Sequence, residues 1–155
     1  TIAYLTESAI KNKVGKTNTM YVDKKDTSVK ILIIDDMGSF FIEDFKRNIQ
    51  RSFPLAQVDA AKGFDGIEDL IIKGQYTVIL LDVLLHNWKP HPVFKICGVN
   101  FIPFILKNSP NTFMISISSK DEWNKEMIEE GAHGAINKSY INSKNEITEE
   151  FTIKQ

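Results

Sequence analysis

Short apolar runs alternate with helical patterns from residue 29 onward. Residues 29–34 are almost continuously apolar, as a strand buried on both faces would be. Phe40, Phe41, Phe45, Ile49 and Phe53 then recur at helical spacing, and Pro54 marks the end of that helix. Residues 57–61 read as a second strand, and residues 67–72 as a helix with Gly74 as its stop. Residues 77–81 and 112–118 are a third and a fourth buried strand. A long loop containing Pro90 and Pro92 separates them, followed by an apolar helix over about 99–107. Residues 121–130 form an amphipathic helix with Trp123, Met127 and Ile128 on one side, closed by Gly131, and residues 132–137 are a fifth strand. A last helix is expected from Asn145 onward, turning Ile147 and Phe151 inward.

Strands alternating with helices imply right-handed crossovers and an open, doubly wound parallel sheet, an α/β fold. In such sheets the working groups gather at the carboxyl ends of the strands. The polar residues obey that rule. Asp35 and Asp36 end the first strand, Asp82 the third, Ser118 the fourth, and Lys138 follows the fifth. All five fall on one edge of the expected sheet.

Composition narrows the setting without naming a chemistry. The chain has 155 residues, 43% of them hydrophobic and 25% charged, which is enough for one packed domain. A net charge of −1 provides no field for nucleic acid or an anionic membrane. No apolar run approaches the roughly 18 residues of a membrane span, and a lone cysteine, Cys97, cannot form an internal disulfide, so a cytoplasmic setting is expected. Residues 1–28 read as an N-terminal extension or linker, in which Ile2–Leu5 and Thr19–Val22 could pair as a hairpin.

Three carboxylates in one cleft raise one another's pKa, and a divalent cation removes the conflict. An oxygen-only donor set suits Mg²⁺. With Asp82 as a carboxylate nucleophile, Lys138 as a point charge and the Ser118 hydroxyl as a donor, the set is equipped for phosphoryl transfer to give an aspartyl phosphate.

The segments KILIIDD (30–36), VILLD (78–82), MISISS (114–119) and GAHGAINKS (131–139) together resemble the response-regulator receiver family of two-component signal transduction. The resemblance runs from about Val29 to the C-terminus and implies a five-stranded, flavodoxin-like receiver domain over 29–155. It implies that Asp35, Asp36 and Asp82 bind Mg²⁺ together with the backbone carbonyl of Leu84. Asp82 would be the phosphorylated residue, Ser118 the switch hydroxyl and Lys138 the lysine of the pattern. The implied partners are a histidine kinase or phosphotransfer protein and a downstream protein, with homodimerisation left open. No enzymatic activity is expected beyond the domain's own phosphorylation and dephosphorylation, and no direct contact with nucleic acid or membrane.

Some positions depart from the pattern. Ala135 stands where the family carries an aromatic ring, the loop after Asp82 is longer than usual with His86 in place of a proline, and Ser139 follows the lysine. Counting back from Lys138 favours Ser116 as the switch hydroxyl, whereas the apolar register favours Ser118. An alternative reading is therefore a receiver-fold interaction module that no longer signals by phosphate. A phosphatase of the haloacid-dehalogenase type would need an Asp at position 37, which is Met. Taken singly, Asp36 reads as a helix N-cap, Lys138 as a surface lysine, and His133 as a turn residue. His86, His91 and Cys97 fit no tight metal-ligand spacing, and Trp88 is either a cover for the site or a contact surface.

Overall fold

Runs of apolar residues with no polar face are stable only inside, and here each becomes a strand of a single sheet. The computed structural model describes residues 29–89 and 97–138. The strands are β1 (Lys30–Ile34), β2 (Gln57–Ala60), β3 (Val78–Asp82), β4 (Phe113–Ser118) and β5 (Gly134–Asn137). The helices are α1 (Ser39–Ser52), α2 (Ile67–Gly74), α3 (Phe101–Asn108) and α4 (Asp121–Glu129). The strands are all parallel in the order β2-β1-β3-β4-β5. This is the five-stranded, flavodoxin-like receiver fold. The expected hairpin within 1–28 and the expected last helix lie outside the described residues.

Alternate residues of β1, β3 and β4 feed two separate cores. Ile31, Ile33, Val78, Leu80, Ile115 and Ile117 meet Ile42, Phe45 and Ile49 of α1. Leu32, Ile34, Ile79, Leu81 and Met114 meet Ile67 and Ile71 of α2, Phe101, Ile102 and Ile105 of α3, and Met127 of α4. Burying one such side chain contributes about 1.5–3 kcal/mol, so reversing a strand would cost far more than any local preference could return. Register is thereby set, and with it the geometry of the strand ends. Ile34 lies opposite Leu81, so Asp35 and Asp82 emerge side by side one step later. Asp82 lies opposite Ile117, and Ser118 opposite Asn137, which places Ser118 and Lys138 one step beyond the pairs.

Several details differ from the sequence expectation. Phe40 shares the helical spacing of α1 but is 79% exposed, since the buried stripe of that helix runs through positions 42, 45, 48 and 49. Gly74 is the last residue of α2, and the left-handed conformation falls on Gln75, at φ 45°. Gly74 is needed for space: a Cβ there would lie 2.3 Å from the ring of Tyr76. The third helix begins at Phe101 after a 3₁₀ turn over Gly98–Asn100, and β5 begins at Gly134. No helix among the described residues is long and apolar enough to cross a membrane.

Candidate functional site

Four of the residues singled out from the sequence converge. Asp35 is buried at the end of β1 and Asp82 at the end of β3, and carboxylate oxygens of Asp35, Asp36 and Asp82 all lie within 4.8 Å of one another. Lys138 spans the pair, its Nζ 2.9 Å from Asp35 Oδ2 and 3.0 Å from Asp82 Oδ2. The chain folds locally to orient these groups. Asp35 Oδ1 accepts the backbone N–H of Met37 at 2.8 Å, and Asp82 Oδ1 accepts that of Val83 at 2.8 Å. Helix α1 starts at Ser39 after Gly38, so Asp36 is not its cap. The carboxylate of Asp36 instead accepts the N–H of Asn87 at 2.7 Å, with His86 Nδ1 at 3.9 Å.

Charge within this cluster is unbalanced. Three carboxylates against one ammonium leave two negative charges when all are ionised. Burial and the charge of Asp35 push Asp82 up from 3.8 to about 7, with Lys138 pulling the other way and Asp36 adding to the rise. Burial draws Lys138 downward, but Asp35 and Asp82 outweigh it, and the ammonium is held above its ordinary value. Asp35 Oδ2 is fully buried, and Lys138 meets it as an ion pair at 2.9 Å with no hydrogen-bond partner beside it. A buried oxygen left so costs stability unless a further positive group meets it. The donor set is all oxygen, its charge deficit is two, and an under-satisfied oxygen faces into it. These residues fit a hard divalent cation such as Mg²⁺.

The other two expected residues stand nearby without joining the cluster. Ser118 is buried at the end of β4, and its hydroxyl accepts the N–H of Lys120 at 3.1 Å. Ser116 points away to α4, donating its hydroxyl to Asn124 Oδ1 at 2.7 Å. Leu84 pairs with Cys97 in an antiparallel bridge. Neither Leu84 nor Ser118 hydrogen-bonds to the carboxylates among the described residues. Among the described residues the acidic trio is the one cluster able to hold a metal; His91, one of the three residues of the histidine–cysteine reading, lies outside them.

The enlarged loop after Asp82 is anchored at its root. Gly98 N–H donates to Val83 O at 2.7 Å, and Trp88 packs edge-on against Phe64, which stacks on Phe101. Trp88 thus ties the loop to the core instead of presenting a free surface. Sequence reasoning missed three supports. Gly98 passes so close behind Asp82 that a Cβ would lie 1.9 Å from its carbonyl oxygen. His133 Nδ1 accepts the N–H of Met114 at 2.9 Å, beyond the turn role assigned to it. Asn124 is a polar residue buried on the inner face of α4. Of these, only Gly98 had a sequence signal, a glycine closing a loop that begins at a buried carboxylate.

Neither a family model nor a curated protein matches the chain. Solved structures do. The signal receiver domain of a DNA-binding response regulator from Colwellia psychrerythraea superposes with a TM-score of 0.60 at 20% identity, over 72% of this chain and 87% of that one. A response regulator from Burkholderia pseudomallei, solved with a phosphorylated aspartic acid, calcium ion and citrate, gives 0.58 at 18% identity over 72% of this chain, which spans 60% of that protein. The N-terminal domain of an uncharacterised Wolinella succinogenes protein gives 0.53 at 26% identity, over 72% and 81% of the two chains. The fold of this chain is that of response-regulator receiver domains.

Proposed function

We propose that the chain is a phosphoacceptor receiver domain that relays a signal by reversible phosphorylation of Asp82. The observation that carries this reading is the cluster itself: three carboxylates within 4.8 Å of one another, with Lys138 bridging Asp35 and Asp82 at 2.9 and 3.0 Å. A purely structural ion pair would need one carboxylate per lysine. Three carboxylates, two of them buried, beside one ammonium reduce stability, and such an arrangement persists where chemistry uses it.

The residues that would hold Mg²⁺ are Asp35, Asp36, Asp82 and the carbonyl of Leu84. When bound, the ion supplies positive charge against the carboxylates and the phosphoryl oxygens. In the reaction, an Asp82 carboxylate oxygen forms a bond to phosphorus as the bond from phosphorus to the donor atom breaks. The electron pair leaves with the donor, an imidazole nitrogen in a phosphohistidine protein or an acetate oxygen in acetyl phosphate. The Val83 N–H fixes the rotation of the Asp82 carboxylate, and Lys138 is placed to pair with a phosphoryl oxygen. Ser118, the last residue of β4 and one step beyond the Asp82–Ile117 pair, is the hydroxyl assigned to that oxygen. Ser116 is already committed to Asn124. The phosphorylated aspartic acid and calcium ion of the Burkholderia protein support the reading by analogy.

Intact-mass measurement after incubation with acetyl phosphate and Mg²⁺ tests it. A phosphoryl-sized gain is expected, absent in Asp82→Asn and in EDTA. A chain unchanged by acetyl phosphate, and equally unresponsive to Mg²⁺ with beryllofluoride, would instead be an interaction module on a receiver scaffold.

A further inference from the structure

Helix α4 buries two side chains, and they differ in kind: Met127 is apolar, Asn124 is an amide. The bonding of Asn124 is specific. Its Oδ1 accepts the Ser116 hydroxyl at 2.7 Å, and its Nδ2 donates to the carbonyls of Ser118 at 3.3 Å and Ile136 at 3.0 Å. Both amide hydrogens are therefore spent on two different strands. One lands on the last residue of β4, which carries the candidate hydroxyl. The other lands on β5 two residues before Lys138. A second strap lies just outside, where Asn137 Nδ2 donates to Asp121 Oδ1 at 2.9 Å and to Ser119 O at 3.3 Å.

An apolar side chain at 124 would let the helix slide over the strand ends at little cost. A buried amide cannot slide. Each of its bonds is kept, or is broken at the full desolvation cost of the groups released. A shift of either strand end must therefore carry α4 with it, or break the network as a unit. Ala135, opposite Ser116 in the β4–β5 register, has no ring with which to transmit such a shift.

We propose that Asn124 is the positioning residue that couples the site to the outer surface of α4, holding the strand ends that bear Ser118 and Lys138 against that helix. The proposal rests on the phosphoacceptor reading for its signal and on the geometry alone for its positioning role. When charge at Asp82 changes, the displacement of Ser118 and Lys138 passes to α4 through the Asn124 amide.

Amide spectra of ¹⁵N-labelled full chain, with and without Mg²⁺ and beryllofluoride as the phosphoryl mimic, provide the test. In wild type the Val83 and Trp123–Lys125 amides are expected to shift together. In Asn124→Leu, Val83 still shifts while α4 stays silent. Ser116→Ala, which spares both Nδ2 bonds, keeps the α4 response. An α4 response of equal size in Asn124→Leu overturns the coupling, and so does a silent α4 in wild type whose Val83 responds. Should Val83 itself stay silent in wild type, it is the phosphoacceptor reading that has failed. Positioning is then read in metal-free protein by hydrogen exchange. Asn124→Leu is expected to speed exchange at Ser118 and Lys138 by roughly tenfold relative to Ile33 and Leu80, and equal rates overturn the assignment. If Asn124→Leu fails to fold, Asn124→Asp, isosteric but without the donors, takes its place in both arms.

Discussion

At Asp82 the balance of effects is visible in a single side chain. Burial and a neighbouring carboxylate raise it to about 7 against the pull of Lys138, so its folded value lies above its unfolded one. A group raised in this way contributes stability below its unfolded pKa and loses that contribution as pH climbs through the folded value. In metal-free buffer the protein should therefore lose stability between about pH 4 and pH 7, at no more than about 1.4 kcal/mol per pH unit. Asp82→Asn should flatten that slope and be on the order of 2 kcal/mol more stable at pH 8, with the two proteins converging near pH 4. Denaturant titrations across the pH range would check this, and a mutant less stable at pH 8 would contradict it. Tyr76 behaves similarly at the alkaline end. Burial and its bond to Asp59, at 2.8 Å, hold the phenol well above its usual value. Its contribution is complete below about pH 10 and lost above it, so Tyr76→Phe should cost about 1 kcal/mol at neutral pH and remove part of the alkaline unfolding.

Among the elements, the runs that read as strands were legible because a parallel sheet covered on both sides leaves no place for polar alternation. Ile31 to Ile34 and Val78 to Leu81 could hardly be anything else. Site residues were legible for the same reason: a carboxylate such as Asp35 or Asp82 directly after such a run is forced to the sheet edge. What stayed hidden depends on contacts between distant segments. Spacing placed Phe40 with Phe45, yet only the packing of α1 on the sheet decides that Phe45 is buried and Phe40 faces water. Asn124 looked like any helix polar residue until strands β4 and β5 supplied its carbonyls. Gly98 looked like punctuation, although its need is space beside the Asp82 carbonyl. Gly98→Ala should accordingly cost about 1–3 kcal/mol through forced displacement of either β3 or the 3₁₀ turn, seen as a lowered thermal midpoint. An unchanged midpoint would show that the two segments separate easily.

For the molecule as a whole, a divalent ion and the fold should be thermodynamically linked. Only the pairing of β1 with β3 brings Asp35, Asp36 and Asp82 together, so the ion binds the folded state in preference to the unfolded one. At ten times its Kd, Mg²⁺ should add about 1.4 kcal/mol and raise the melting temperature by a few degrees. Asp35→Asn should abolish most of that gain while leaving the sheet intact by circular dichroism. A melting temperature indifferent to Mg²⁺ in wild type would count against the cation site.

The bridge from Lys138 to Asp35 also has a kinetic side. It joins the end of the first strand of the described residues to the residue after the last, so it can form only once β5 has docked. Until β5 docks, the carboxylates at the ends of β1 and β3 face one another with no lysine between them, and closing the sheet brings their counter-charge with it. The bridged cluster is thereby a built-in report on a closed sheet: a chain stalled before its fifth strand would carry Asp35 and Asp82 without the ammonium that lies between them.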